Sequence, residues 1–354
     1  MDSSPCRESG SQGVKEMHEG SFATVLLKWF GENGRELPWR QTPDPYAIWL
    51  SEVILQQTRI QQGWEYWERF MLRFPRVEDL AAASEDEVLR LWQGLGYYSR
   101  ARNLHTAARQ IVEGGRFPTT FDEIRKLKGV GDYTAAAIAS IAFGLPHAVV
   151  DGNVYRVLAR YFGIDTPINT TQGKKLFSAL AQELLPKSAP SAFNQAMMDF
   201  GAIQCTPQTP RCLSCPLSET CEALRTGRVE QLPVKEKKLK VQTRRMTYVY
   251  VRCKGETALR RRPAGDIWQG LWEPILLEEN PTFTPSPSTP ILLRKNVRHV
   301  LTHRILLSDF YLWECEEKPE LPTGYQWIKE TERDNYAIPR LIEILFEALP
   351  SPQG

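Results

Sequence analysis

The sequence predicts a multi-domain protein in which an all-α region precedes a smaller α+β domain. From residue 21 to about residue 204, apolar side chains recur at helical spacing and no segment alternates as a strand does. The period changes beyond residue 245, because residues 246–253 and 305–313 alternate and are rich in β-forming side chains. A chain of 354 residues is long enough for two domains or slightly more.

Composition excludes several classes of protein. The longest apolar stretch, residues 135–143, is shorter than the ~18 residues that a membrane span requires. Residues 1–20 have no apolar core, so they predict a disordered leader rather than a secretory signal. The net charge of +2 excludes a polycation but allows a basic face. Membrane proteins, collagens and secreted disulfide-rich miniproteins are therefore excluded.

Local signals mark several helix boundaries. Residues 84–87 and 120–123 each have the spacing of a capping box, which predicts a helix start at both places. Asp151 stands before an amphipathic segment and predicts another helix cap. Residues 280–290 are rich in proline and predict a loop, whereas residues 339–349 predict a closing helix.

Four cysteines stand close together after the helical region. They are separated by six, two and five residues: Cys205, Cys212, Cys215 and Cys221. Zinc sites usually pair two Cys-x-x-Cys units, but only one such pair is present here. The spacing therefore favours a [4Fe–4S] cluster over zinc. Two disulfides or inert thiols are the alternative, which a reducing compartment disfavours.

A glycine-rich turn separates two helical segments. Residues 127–131 read Leu-Lys-Gly-Val-Gly, and a helix that begins after Gly131 presents free backbone amides. Such amides bind a phosphate without reading base sequence. An ordinary helix–helix turn is the alternative. Lys128, Gly129 and Gly131 are thus candidate phosphate contacts.

The order of these parts resembles a known family. A glycine turn, then Val-Asp-Gly-Asn-Val at 150–154, then four cysteines is the order of the helix-hairpin-helix DNA glycosylases with an iron–sulfur cluster. Within that superfamily, the chain resembles the MutY-type adenine DNA glycosylases over about residues 20–350. The segments that carry the resemblance are residues 37–40, 49–58, 94–98, 151–154 and 193–198.

The resemblance implies an activity, a cofactor and a partner. The implied reaction is removal of adenine mispaired with 8-oxoguanine or guanine in double-stranded DNA, a step of base-excision repair. The implied cofactor is one [4Fe–4S] cluster, held by the four cysteines. We expect a monomer of bacterial type that is cytoplasmic, binds no membrane and associates with the nucleoid when bound to DNA.

The resemblance also divides the chain. It implies an all-α helix-hairpin-helix glycosylase core with a [4Fe–4S] loop, followed by an α+β Nudix-like domain that recognises 8-oxoguanine. The predicted parts are a leader (1–20), an all-α catalytic region (21–231), a basic linker (232–245) and the Nudix-like domain (246–350). Within the catalytic region we expect a six-helix domain at about 35–147 and an iron–sulfur domain made of 21–34 and 148–231.

Two carboxyl groups carry the predicted chemistry. Cleavage of the N-glycosidic bond requires protonation of the base and stabilisation of an oxocarbenium-like sugar, and two carboxyls in different environments can divide these tasks. Glu52 stands among apolar helical neighbours, so we expect a raised pKa; the resemblance implies that it protonates adenine N7. By resemblance, Asp151 stabilises the sugar carbon or bonds to it covalently. A surface salt bridge for Glu52 and a plain helix cap for Asp151 are the alternatives.

Two further residues complete the predicted catalytic set. Asn153 matches a family residue that supports the site. Tyr133 stands where the related endonuclease III-like enzymes have a lysine that attacks the sugar. Because a phenol forms no imine, the resemblance implies a monofunctional glycosylase. We expect Tyr133 to contact Asp151 or the sugar.

Other matched residues concern the base and the duplex. Trp39, Arg40 and Gln195 match positions that line the adenine pocket. Gln57 and Tyr97 match residues that wedge into the duplex when the base is everted. A core aromatic is the alternative for Tyr97.

The predicted Nudix-like domain departs from its relatives at two places. Leu301, Thr302 and His303 stand where many relatives have Phe-Ser-His as the tip that recognises 8-oxoguanine, so the hydroxyl is kept and the ring is lost. An ordinary hydrogen-bonded strand residue is the alternative for His303. The Nudix box is absent, which predicts no Mg²⁺-dependent hydrolase activity.

Two other functions remain open at this point. One is an endonuclease III-like glycosylase and AP lyase, against which Tyr133 and the additional domain argue. The other is a non-catalytic protein that binds damaged DNA.

Overall fold

The computed structural model describes residues 22–236, 242–286 and 289–351. The predicted leader lies outside the described residues. The chain divides into two compact units, of which the first is drawn from residues 1–57 and 110–237 and the second from residues 58–109 and 238–354. No helix among the described residues is both long and apolar enough to span a bilayer.

Up to residue 225 the described chain forms helices joined by turns, as the sequence predicts. The α-helices are α1 (22–33), α2 (Pro45–Ile54), α3 (Ile60–Arg73), α4 (Val77–Ala82), α5 (Glu85–Trp92), α6 (Ser99–Glu113), α7 (Phe121–Arg125), α8 (Asp132–Phe143), α9 (Gly152–Phe162), α10 (Thr171–Leu184), α11 (Pro190–Asp199) and α12 (Glu222–Arg225).

The predicted helix caps form, one of them incompletely. Thr120 and Glu123 make the reciprocal hydrogen bonds of a capping box at the start of α7. Ser84 accepts a hydrogen bond from the amide of Glu87 at the start of α5. The Glu87 carboxylate pairs with Arg73 instead of returning to Ser84, so only half of that box is present.

An aromatic core holds the first unit together. Helices α1, α9, α10 and α11 bury one contiguous set of apolar side chains, within which the rings of Phe22 and Tyr161 lie 4.6 Å apart. Helix α8 is buried along most of its length, and its small alanine side chains let α2 and α7 pack closely against it. This packing brings side chains from α2, α8 and α9 to one place.

The described part of the second unit contains a mixed sheet. Its strands are β1 (Gln242–Cys253), β2 (Glu256–Arg261), β3 (Trp272–Glu273), β4 (Ile275–Leu276), β5 (Ile291–Val300), β6 (Arg304–Glu314) and β7 (Tyr325–Lys329). The main order is β3-β2-β1-β6-β5, and β4 and β7 add to β1 and β2. Strands β1 and β6 are parallel, and the other pairs are antiparallel. Helix α13 (Arg340–Glu347) packs its apolar side against this sheet.

The strand β1 begins earlier than the sequence analysis expects. Residues 242–245 belong to the segment assigned to the linker, yet they pair in register with the first residues of β6. Ladder hydrogen bonds to β6 thus override a basic composition that by itself favours a solvated linker. Of the segment 232–245 assigned to the linker, the structure describes residues 232–236, which lie in no helix or strand, and residues 242–245, which belong to β1.

Candidate active site

Glu52 is buried in a helix that is apolar on nearly every side. Helix α2 begins where Asp44 accepts a hydrogen bond from the amide of Tyr46, with Pro45 at the first position. The side chain of Glu52 is 8% exposed. The pKa of Glu52 is raised to about 7, chiefly because burial desolvates the carboxylate and to a smaller extent because the charge of Asp151 lies nearby. The structure therefore excludes the alternative of a surface salt bridge.

Asp151 caps α9 and accepts several hydrogen bonds. Its Oδ1 accepts from the backbone amides of Asn153 and Val154, both at 2.8 Å, and its Oδ2 accepts from Asn153 Nδ2 at 2.8 Å. Burial raises the pKa of Asp151, while these three donors oppose the rise. Of the two carboxyls, Asp151 has the stronger support for its ionised form, because three N–H groups at a helix N-terminus stabilise negative charge.

Tyr133 contacts Glu52 rather than Asp151. Its hydroxyl lies 3.1 Å from Glu52 Oε2 and donates to it. The sequence analysis offered Asp151 or the sugar as its partner. The oxygens of Asp151 already accept from Asn153 and Val154, which leaves the phenol to Glu52. This hydrogen bond lowers the pKa of Glu52 and so opposes the effect of burial.

The predicted pocket residues have different surroundings. Trp39 is buried, and the amide of Gln195 donates to Ser191 Oγ at 3.0 Å. Arg40 donates from Nη1 and Nη2 to the two oxygens of Asp199, each at 2.8 Å. Because Asp199 is fully buried, this pair fixes the guanidinium, whose charge lowers the pKa of Glu52.

The sequence analysis missed Asp199 and the second arginine that it holds. Arg35 donates its backbone amide to Asp199 Oδ2 at 2.9 Å and its Nε to Oδ1 at 2.9 Å. The signal was an acidic residue at the end of the apolar helix α11, where burial of a charge requires partners. Residues 35 and 199 are far apart in sequence, so spacing alone does not pair them.

Arg156 is another missed residue, and it holds Asn153 in place. Its Nη2 donates to Asn153 Oδ1 at 2.8 Å and to the Gly201 carbonyl at 2.7 Å, and its Nε donates to the Cys205 carbonyl at 2.8 Å. Gly201 packs directly against Asn153: a Cβ at position 201 would lie 2.5 Å from the Cβ of Asn153, so this close packing requires glycine. Hydrogen bonds therefore run from Asp151 through Asn153 and Arg156 to the backbone of the cysteine loop.

The four clustered cysteines line one small cavity. The cavity has a volume of about 30 Å³, and all four cysteines are free thiols. Arg160 Nη1 donates to Cys205 Sγ at 3.4 Å, and burial raises the pKa of Cys215 to about 11. In the described residues no group of three or more His, Cys, Asp or Glu side chains is arranged to hold a metal ion. The four cysteines still suit a centre larger than a single metal ion, because all four line the same apolar cavity.

The glycine turn leaves the start of α8 open. Gly129 adopts a φ of +77°, and Gly131 caps α8 without any side-chain hydrogen bond. Lys128 is exposed, and its amide donates to Gln110 Oε1 at 2.7 Å. The first amides of α8 are thus available to a phosphate, as the sequence analysis expects.

The two predicted wedge residues have strained backbones. Gln57 and Tyr97 are both exposed and have positive φ angles of +60° and +46°. A non-glycine residue in this region costs energy, and such residues concentrate at functional sites. The alternative of a core aromatic is wrong for Tyr97, whose side chain is 49% exposed.

The predicted recognition tip is the turn between β5 and β6. The Leu301 amide donates to the Arg304 carbonyl at 2.8 Å, which leaves Thr302 and His303 exposed. Thr302 Oγ1 lies 2.6 Å from the hydroxyl of Tyr97, and both residues belong to the second unit. A wedge candidate and a tip candidate therefore share a hydrogen bond.

Comparisons with known proteins agree with this geometry. Residues 50–187 match the model of the HhH-GPD superfamily of base excision DNA repair proteins, and residues 247–348 match the NUDIX domain. A solved structure of a thermostable thymine-DNA glycosylase is similar at a TM-score of 0.56 and 32% identity, covering 60% of this chain and 99% of that one. The predicted fold class, a helix-hairpin-helix glycosylase core followed by a Nudix-like domain, is confirmed. The protein is thus of the helix-hairpin-helix base-excision repair class.

Sequence relatives define the family more narrowly. An adenine DNA glycosylase of Buchnera aphidicola is 32% identical over 293 residues, which cover 82% of this chain and 83% of the relative. The human adenine DNA glycosylase is 45% identical over 223 residues, which cover 60% of this chain and 41% of the relative. This chain therefore spans less than half the length of the human protein. It belongs to the adenine DNA glycosylase family.

The burial of Glu52 makes stability depend on pH. The folded-state pKa of about 7 lies above the ordinary 4.5, so the wild-type fold loses stability as the pH rises through 7. Glu52→Gln removes this titration, and its advantage over wild type should grow between pH 5 and pH 8 by at most about 3 kcal/mol. Urea unfolding at several pH values measures the difference. Glu183→Gln, at an exposed position on α10, should show no such growth, and parallel profiles for all three proteins would contradict the burial argument.

Proposed function

We propose that this protein is a monofunctional glycosylase that hydrolyses the N-glycosidic bond of adenine opposite 8-oxoguanine or guanine in duplex DNA. The observation that carries the proposal is the pairing of a buried Glu52, whose pKa is about 7, with Asp151 at a helix N-terminus. The membership of the adenine DNA glycosylase family supports the choice of base. Base excision requires eversion of the adenosine, because neither carboxyl reaches a base inside the stack.

The two carboxyls divide the reaction. Glu52 gives its proton to adenine N7 as the bond between C1′ and N9 breaks, and the bonding electrons leave with the neutral base. The sugar becomes an oxocarbenium-like cation, which the negative charge of Asp151 stabilises. Water then adds to C1′ and gives up a proton to the Glu52 carboxylate, which restores the acid. Tyr133 orients the Glu52 carboxyl, and Asn153 orients that of Asp151.

The residues near the reacting carbon favour hydrolysis over lyase chemistry. Tyr133 stands at the position where a lyase needs an amine, and its buried phenol donates to Glu52. Formation of a Schiff base requires an amine that attacks C1′, which a phenol cannot supply. The product is therefore free adenine and an intact abasic strand.

We assign the four cysteines to one [4Fe–4S] cluster. Cys205, Cys212, Cys215 and Cys221 line the same cavity, and thiolates are the ligands that such a cluster uses. Arg160 donates to one sulfur and supplies positive charge beside the thiolates. A cluster bound to these cysteines would cross-link the loop whose Cys205 carbonyl accepts a hydrogen bond from Arg156, and this loop has few apolar side chains of its own.

The Nudix-like domain, residues 246–350, is assigned to recognition of 8-oxoguanine rather than to hydrolysis. Thr302 presents a hydroxyl at an exposed turn, and Tyr97 holds it at 2.6 Å. A Nudix hydrolase needs free carboxylates for Mg²⁺. In the described sheet, Glu273 is fully buried between Arg260 and Arg262, so its charge is already neutralised.

Glu52→Gln tests the assignment of the acid. The variant should release adenine from a duplex with an 8-oxoguanine·adenine pair about 10²–10⁴-fold more slowly in single turnover, because the leaving base stays unprotonated. Its affinity for the duplex should stay within about threefold of wild type, since the side-chain volume is kept.

The controls separate this enzyme from the other two candidate functions. Glu183→Gln should cleave as wild type does. Borohydride should trap no wild-type protein on abasic DNA, and efficient trapping would instead show a lyase. Equal rates for wild type and Glu52→Gln would refute the assignment of Glu52, and binding without cleavage by wild type would indicate a damage-binding protein.

Metal content tests the cofactor independently of activity. Protein purified without oxygen should contain about four iron atoms and four sulfides per chain, with broad visible absorption. Cys212→Ser should lose iron because one ligand is removed, whereas Cys315→Ser, at a cysteine outside the cavity, should keep it. Stoichiometric zinc in place of iron would contradict the assignment.

A further inference from the structure

The strand β5 lies at an edge of the sheet and carries an unusual set of exposed side chains. It pairs with β6 on one side, and it is the last strand in the main order of the described sheet. Arg294, Lys295 and Arg298 are all exposed. Ile291 and Val300 are each 56% exposed, although aliphatic side chains normally face a core.

The segment around β5 is free of acidic residues. The chain has 42 Asp and Glu residues, but residues 280–308 contain none, and four Arg or Lys residues lie there. Arg304 pairs with Asp266 at 3.3 Å. Within the described chain, no carboxylate forms an ion pair with Arg294, Lys295 or Arg298.

These cations are exposed on a strand whose pairing with β6 is irregular. Leu293 and Val297 are half-buried against the core, and the ring of His299 contacts that of Trp268 at 5.7 Å. The pairing of β5 with β6 is irregular between residues 292 and 297, and residues 294–296 within this part are exposed. Asp309 of β6 faces this irregular part, but its Oδ1 accepts the backbone amide of Asn296 at 2.6 Å. Three exposed cations on β5 therefore outnumber this one carboxylate.

The strand leads directly to the recognition tip. Arg298 precedes Thr302 by four residues, which is about 13 Å along an extended chain. At this separation the cations and the tip can contact the same short stretch of duplex, in which successive nucleotides rise by about 3.4 Å along the axis.

We propose that the edge strand β5 binds the phosphate backbone of duplex DNA next to the lesion, through the exposed side chains of Arg294, Lys295 and Arg298. This proposal rests on the proposed function. Charge complementarity selects the occupant, since three exposed cations that form no ion pair outnumber the one nearby carboxylate, that of Asp309, and so suit a polyanion. The alternative is that these exposed charges only protect the edge strand from aggregation, and the experiment must distinguish this role from DNA binding.

The test uses the full chain with Arg294→Gln, Lys295→Gln and Arg298→Gln combined. Binding is measured by fluorescence anisotropy at several salt concentrations, on a duplex with 8-oxoguanine opposite 2′-fluoro-2′-deoxyadenosine, which resists cleavage. Loss of three phosphate contacts should reduce the slope of log K against log salt by about 2–3 and weaken low-salt binding at least about tenfold. Single-turnover adenine release at saturating DNA should stay within about twofold of wild type.

A matched variant controls for net charge. Lys174→Gln, Lys175→Gln and Lys187→Gln combined remove the same charge from exposed positions of the first unit, and the salt slope should stay as in wild type. A wild-type slope in the β5 variant, or aggregation of that variant with unchanged DNA binding, would overturn the proposal. An equal loss in both variants would also overturn it. Absence of adenine release by wild type would refute the proposed function separately.

Discussion

The burial of one carboxyl group next to another is the constraint on which the site depends. A single negative charge in an apolar setting is costly, and a second one nearby adds repulsion. The fold resolves this conflict by giving the two groups different partners. Glu52 lies on the apolar helix α2 and receives one phenol, whereas Asp151 lies at a helix N-terminus and receives three N–H donors. A proton near neutral pH therefore belongs to Glu52.

The surrounding residues maintain this asymmetry. Arg40 is close enough to lower the pKa of Glu52. Asp199 binds the Arg40 guanidinium, and this opposite charge weakens the effect of Arg40 on Glu52. Arg156 fixes Asn153, which in turn fixes Asp151. The small side chains of α8 permit the close packing that brings α2 to Tyr133. The pair of Arg40 with Asp199 and the packing of α2 on α8 join segments that are far apart in the sequence, whereas Asp151, Asn153 and Arg156 lie within one helix start.

The sequence predicts the elements of the fold well and their long-range partners poorly. The capping box at Thr120, the cap at Asp151 and the strands near residues 246 and 305 all depend on local chemistry, and the structure confirms them. The predicted start of β1, residue 246, lies after the observed start, Gln242, because pairing with β6 is not a local property of the sequence. Asp199 and Arg156 were missed for the same reason, since neither the ion pairs of Asp199 nor the hydrogen bonds of Arg156 to the Gly201 and Cys205 carbonyls leave a periodic signal in the sequence.

Family resemblance and local pattern contribute different information about the site. The apolar neighbours of Glu52 indicate burial and a raised pKa, but they left a surface salt bridge open, which the structure excludes. The roles of Tyr133 and Thr302 came from resemblance, and the structure adds contacts that resemblance did not give: the phenol of Tyr133 on Glu52, and the hydroxyl of Tyr97 on Thr302. The strained backbones of Gln57 and Tyr97 were not foreseeable, because a positive φ outside glycine depends on the whole loop.

The most direct test of this account is a titration of the Glu52 carboxyl itself. Protein labelled with ¹³C at the glutamate side chains is compared with the labelled Glu52→Gln variant by NMR, so that the missing resonance identifies Glu52. The account predicts a midpoint near pH 7 for this resonance. A midpoint close to the ordinary 4.5 would contradict the claim that a buried, protonated Glu52 faces Asp151.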